Sequence, residues 1–157
     1  MSKKVYIIAI IIFILDQISK AIISTYLGLG KSIKIIKDFF YLTYINNFGA
    51  SWGILKNSWY LLIIFSLIAI VILRRYINSF KKTKSNIVGL GFLMGGILGN
   101  LSDRILYGYV KDFFDFYIFG YNFPIFNIAD IFIVIGVVIL IISILRGEDK
   151  NGNSSRK

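Results

Sequence analysis

The sequence predicts an all-α membrane protein in which four transmembrane helices carry a small extracytoplasmic β-sheet and an aromatic loop. Three observations predict it. Apolar residues make up 57% of the 157-residue chain and the mean hydropathy is +0.74, outside the range of a soluble globule. Four apolar runs, at about 5–23, 57–73, 87–106 and 127–145, approach the ~20 residues that a helix needs to cross hydrocarbon. Between the first two, 28–57 is rich in β-branched and aromatic residues and is punctuated by Gly28, Gly30, Gly49 and Gly53, the pattern of a short sheet or hairpin. The whole length is expected to form one domain.

The first helix follows Lys3 and Lys4, and its apolar run is interrupted by Asp16, Gln17, Ser19 and Lys20. A basic start suits a signal peptide, but the run continues through charged residues and no small-x-small cleavage site follows, so an uncleaved helix is expected. Asp16 and Lys20 stand at i and i+4 and share a helical face. They read equally as a neutralised pair that lets the helix insert and as part of a functional site.

The second helix ends at Arg74 and Arg75, and the linker after it adds Lys81, Lys82 and Lys84. In the third, Gly91, Gly95 and Gly99 recur every four residues and leave one face flat enough for close approach of a neighbouring helix. Packing is favoured over a nucleotide loop there, because no strand precedes these glycines and GxGxxG spacing is absent. The outer end of the same helix carries Asn100, Asp103 and Arg104. An aromatic loop, 107–126, contains the only proline, Pro124, and leads to the fourth helix, which opens with Asn127 and Asp130. The polar tail, 147–157, is expected to be disordered.

Lys and Arg number two, five and four in the N-terminus, the middle linker and the tail, against four and one in the other two loops. The positive-inside rule then places both termini in the cytoplasm. On that topology Asp16, Lys20, Asn100, Asp103, Arg104, Asn127 and Asp130 all fall near the outer surface. Ionisable groups at membrane depth are costly and mark functional sites.

Composition also narrows the chemistry. There is no cysteine and no histidine, which removes disulfides, thiolate nucleophiles, Cys/His metal sites and a Ser-His-Asp triad. The net charge of +10 sits in short segments between apolar runs, a topology signal rather than a nucleic-acid-binding face. A pair of aspartates sharing a water is the strongest hydrolytic option left. Two close carboxylates cannot both ionise comfortably, so one stays protonated as acid while the other activates water. Asp112 and Asp130 are the candidate pair, with Arg104 and Lys20 as counter-ions and Asn47, Asn100 and Asn127 as hydrogen-bond partners.

Other readings of these residues remain open. Asp103 and Arg104 can close the bundle through charge pairs, Asp115 can be a solvated loop residue, and Asp130 can cap the fourth helix. Carboxylates lining a bundle also suit a small proton or ion conduit. A rival hydrolase would use Lys20 as general base for Ser102.

The motifs LDQISK, NFGASWGIL, GNLSDRI, VKDFFD and FPIFNIAD stand in an order that resembles the signal peptidase II, or lipoprotein signal peptidase, family over nearly the whole chain. The resemblance implies a four-helix membrane aspartic protease with a small extracytoplasmic sheet. It implies cleavage of signal peptides from bacterial prolipoproteins, immediately before a diacylglyceryl-modified cysteine. Catalysis would fall to Asp112 and Asp130, supported by Asp16, Lys20, Asn47, Asn100, Asp103, Arg104 and Asn127, without metal or cofactor. The implied partners are diacylglyceryl-modified prolipoproteins and membrane lipid, with no nucleic acid. A monomer in the bacterial cytoplasmic membrane is expected, its active site near the outer leaflet. Three positions depart from the usual family pattern: Ile131 where a serine commonly follows the second aspartate, GASW for GAAF, and Lys111 before the first aspartate.

Overall fold

A computed structural model describes residues 1–49 and 58–148. Its elements are α1 (Ser2–Tyr26), β1 (Ser32–Ile36), β2 (Phe40–Asn47), α2 (Trp59–Tyr76), α3 (Lys84–Tyr107), β3 (Val110–Ile118), β4 (Tyr121–Asn122) and α4 (Ile128–Leu145). Each of the four helices is long and apolar enough to cross a membrane. The far part of the sheet expected over 28–57, the start of the second helix at 57, the NFGASWGIL motif beyond Gly49 and the tail from 149 lie outside the described residues.

The centre of the bundle is α3, and glycine puts it there. A Cβ on Gly91 would come within 2.6 Å of Ile8, and one on Gly95 within 2.7 Å of the Ala9 carbonyl, so the four-residue glycine stripe is the seat of α1. A second small face was hidden in the same helix. A Cβ on Gly96 would meet the Ala129 carbonyl at 2.5 Å, and Gly136 of α4 returns the contact at 2.8 Å from the Gly89 carbonyl. Without a hydrophobic drive between helices in lipid, backbone approach of this kind supplies the dispersion energy that holds them. None of the residues of α2 is buried; it packs mainly on α3 and leaves the rest of its surface outward.

At the end of the bundle where the first and last helices meet the termini, Val5, Ile77, Leu90 and Leu140 form an apolar core. Beside it Asn86 is fully buried and satisfied: its amide donates to the Lys81 and Glu148 carbonyls at 3.0 and 2.8 Å, and it accepts from Ser143 Oγ.

The segment expected to be an aromatic loop is a pair of strands. β3 pairs antiparallel with β2, and β4 with β3, giving a four-stranded sheet in the order β1-β2-β3-β4. Alternation along VKDFFDFYI was obscured because aromatic residues occupy both faces, so a period of two has no polar side to show. Phe40 stacks on Phe116 at 4.5 Å and Phe116 on Phe126 at 5.8 Å, tying the sheet to the start of α4. Register sets Asp112 opposite Ile45 and Val110 opposite Asn47, at the end of the sheet nearest the helices.

Candidate active site

The site begins at the N-terminus of α4. Asn127 is its N-cap: Asn127 Oδ1 accepts from the Asp130 N–H at 3.0 Å, and Asp130 Oδ2 accepts from the Asn127 N–H at 3.1 Å. This reciprocal capping box satisfies backbone donors that a helix end leaves unpaired. Asp130 is thus both a capping residue and a wall of the site, two readings that the sequence had set against each other.

The cap leaves the Asn127 amide NH2 free to point elsewhere, and it donates to Asp112 Oδ1 at 2.6 Å and to Asn100 Oδ1 at 3.0 Å. Asn47, on the strand paired with β3, donates to the other Asp112 oxygen at 2.8 Å. Asn100 donates to Asp130 Oδ1 at 2.7 Å. Asp112 and Asp130 therefore share one asparagine and line one cavity of about 210 Å³, together with Asn47, Asn100, Arg104 and Ser66. Asp112 is 2% exposed. Burial first, and the charge of Asp130 second, push its carboxyl up to about 7, against the amide hydrogen bonds from Asn47 and Asn127.

Behind this pair lies a buried ion cluster. Lys20 Nζ meets Asp16 at 2.8 Å, Asp103 at 3.2 Å and Asn100 Oδ1 at 3.0 Å. Asp16 also accepts from the Ala129 N–H at 2.9 Å, and Asp103 from the Lys111 N–H at 3.1 Å. The cluster thereby fastens α1 and α3 to the first turn of α4 and to the strand carrying Asp112. Lys20 is not in direct contact with either aspartate of the pair; Asn100 stands between, so it acts on them through that amide. Arg104 lines the cavity, where its guanidinium reaches the Gly49 and Asn100 carbonyls at 3.3 and 3.4 Å rather than a carboxylate.

Nine sequence candidates, Asp16, Lys20, Asn47, Asn100, Asp103, Arg104, Asp112, Asn127 and Asp130, are brought into this one connected group. Asp115 is not a solvated loop residue: it is 5% exposed on β3 and lies apart from the cluster. The Ser-Lys arrangement fails on donor accounting. An ammonium has three N–H donors and no lone pair, and Lys20 directs its donors to Asp16, Asp103 and Asn100.

A family model described as Signal peptidase (SPase) II matches residues 8–146 of the chain. The chain belongs to the signal peptidase II family. A lipoprotein signal peptidase of Staphylococcus haemolyticus (strain JCSC1435) is 43% identical, the match covering 93% of this chain and 96% of that one. Two solved structures are similar in fold, both described as bacterial membrane enzyme structures obtained by the in meso method. The one at 2.3 Å has a TM-score of 0.83 at 37% identity over 100% of this chain and 94% of its own. The one at 1.9 Å has a TM-score of 0.78 at 37% identity over 93% and 94%. As a member of the signal peptidase II family the protein is a membrane peptidase of aspartic type that removes signal peptides from prolipoproteins. Nothing in the fold favours an ion conduit, and the apolar core at the terminal end of the bundle leaves the carboxylates confined to the other end.

Two contributors to this signal peptidase II site escaped sequence reasoning. Gln17 donates to Asp16, Asp103 and the Gly99 carbonyl at 3.1, 3.2 and 3.2 Å, stapling α1 to α3. Its position beside Asp16 in an apolar run was the available signal. Ser66, a polar residue in the middle of α2, brings that helix to the cavity wall.

Proposed function

We propose that Asp112 and Asp130 are the catalytic pair and that they cut the prolipoprotein immediately before its diacylglyceryl-modified cysteine. The observation that carries this reading is the shared setting of the two carboxylates: both line one cavity and both are held by Asn127. With Asp112 raised to about 7, the pair keeps one proton near neutral pH. The ionised carboxylate takes a proton from water, the water attacks the scissile carbonyl, and the protonated carboxyl donates to the departing amide nitrogen. Asp16, Lys20, Asp103 and the three asparagines hold the pair in place, and Arg104 faces the cavity as a donor for the polar substrate backbone.

The positive-inside count supports cytoplasmic termini, a cytoplasmic-membrane location and a site near the outer leaflet. An apolar groove of about 560 Å³ lined by Phe123, Pro124, Phe126, Ile133 and Val134 runs up to Asp130. It suits a substrate that arrives sideways from the bilayer and is positioned by its apolar parts.

The test is cleavage of a diacylglyceryl-modified prolipoprotein by purified wild type, Asp112→Asn and Asp130→Asn. Loss of about 10²- to 10⁴-fold in kcat is expected for either variant. Full activity in a folded variant sinks the assignment. Ser102→Ala should retain activity.

A further inference from the structure

Ser66 interrupts a stretch of α2 that is otherwise apolar from Leu61 to Leu73, and it lines the cavity of about 210 Å³ that also holds Asp112, Asp130 and Arg104. Its proton is committed: Ser66 Oγ donates to the Leu62 carbonyl at 2.7 Å, the back-bond that a serine inside a helix commonly makes. What remains is an oxygen with lone pairs to offer. Among the described residues no donor reaches it.

The other neutral acceptors on the cavity wall already have donors. Asn47 Oδ1 accepts from the Gly49 N–H at 3.0 Å, and Asn100 Oδ1 accepts from Lys20 and from Asn127, each at 3.0 Å. Arg104 only donates, and the remaining lining side chains apart from the two aspartates are aliphatic. Among the lining side chains Ser66 is therefore the neutral acceptor without a donor.

Such an acceptor answers a need of the substrate. A signal peptide crosses lipid as a helix with its backbone groups paired internally. Its scissile bond can meet the two aspartates only where that helix is unwound, and unwinding frees N–H groups at membrane depth that need new acceptors. Successive spans alternate in direction, so α2 and α4, of 18 residues each, run the same way. Ser66 is the eighth residue of α2 and Asp130 the third of α4, which puts Ser66 about 8 Å nearer the bilayer centre, on the side of the signal peptide. At ~3.5 Å per extended residue that depth is two or three residues before the scissile bond. We propose that Ser66 Oγ binds the substrate by accepting the backbone N–H at that place, while Arg104 on the α3 wall donates to a neighbouring carbonyl. The proposal rests on the Asp112 and Asp130 reading above and deepens it.

The test uses full-length protein in vesicles with diacylglyceryl-modified lipopeptides. One amide at a time in the last residues before the scissile bond is replaced by an ester, which removes the N–H and keeps the chain geometry. Wild type should lose about three- to tenfold in kcat/KM, through KM, for the ester two or three residues before the cut, the effect of one neutral hydrogen bond. Ser66→Ala, a better helix former and so expected to fold, should raise KM on the all-amide substrate by the same factor and lose nothing further with that ester. Ser66→Thr keeps the hydroxyl and should keep the sensitivity. A wild type indifferent to every ester overturns the proposal. An ester penalty equal in wild type and Ser66→Ala overturns it too, because the loss then comes from the weaker ester carbonyl and the serine is left with only its bond to Leu62. A Ser66→Thr protein that behaves like Ser66→Ala does the same. If Asp112→Asn cuts the all-amide substrate at the wild-type rate, the catalytic-pair reading fails instead, and this one with it.

Discussion

Lys20 Nζ lies 3.0 Å from Asn100 Oδ1, and that contact decides which end of the Asn100 amide faces Asp130. An ammonium only donates, so the amide oxygen turns to Lys20 and the NH2 turns to Asp130, at 2.7 Å. The same logic runs from the other side. The Asp130 N–H only donates, so Asn127 turns its oxygen to the helix and its NH2 to Asp112. Two asparagines, each forced into one orientation, thus present donors to both carboxylates.

Lys20→Met should break this order at its source. Asp16 and Asp103, both 1% exposed or less, would lose the cation that stands between them. Removing one partner of a buried ion group costs about 3 to 5 kcal/mol. Thermal unfolding in detergent should register a large drop, and a Lys20→Met protein as stable as wild type would contradict the role of the cluster.

Asn127 separates stability from activity. Its serine and alanine variants both lose the amide bonds to Asp112 and Asn100, but serine caps helices as well as asparagine does, so Asn127→Ser should be about 1 kcal/mol more stable than Asn127→Ala. Both variants lack the NH2 that reaches Asp112. A hydrogen bond to a charged group contributes about 1.5 to 3 kcal/mol, so both should lose about ten- to a hundredfold in kcat. A fully active Asn127→Ser would show that the cap alone matters.

The pH dependence follows from Asp112, raised to about 7 by burial and by Asp130. A pair that works with one proton loses it as pH rises through about 7, so kcat/KM should fall about tenfold per pH unit beyond that point. Stability runs in the same direction. The folded carboxyl holds a proton that the unfolded chain releases above about 4, so stability falls as pH rises from about 4 to about 7 and then levels. Asp112→Asn should flatten that slope in thermal unfolding measured across pH.

Gly96→Ala tests the second small face of α3. The added methyl would sit 2.5 Å from the Ala129 carbonyl, next to Asp130, and backbone cannot swing aside. Overpacking of this kind costs about 1 to 3 kcal/mol, and displacement of Asp130 should lower kcat as well. Gly28→Ala, with only a 3.4 Å contact to the Lys31 side chain, is the control expected to be silent in both measurements.

The helices and the identity of the polar residues were legible in the sequence because each rests on local chemistry. Apolar runs of membrane length can only be helices, and charged residues within them can only be kept for a purpose. Gly91, Gly95 and Gly99 announced a close helix contact through spacing alone; the absence of histidine and cysteine pointed to a carboxylate pair, and the motifs VKDFFD and FPIFNIAD singled out Asp112 and Asp130 through the family resemblance.

Tertiary structure decided the rest. Only the pairing of β3 with β2 shows that 110–118 is a strand, because a segment with aromatics on both faces carries no period of its own. Gln17 gained a role, and Asp115 lost its reading as a solvated loop residue, only when partners from distant elements appeared. Sequence by itself determined which runs are long and apolar enough to form the four helices and which polar residues interrupt them. Which oxygen accepts from which amide depends on contacts between residues as far apart as Asp16 and Ala129, and such contacts exist only once the chain has folded.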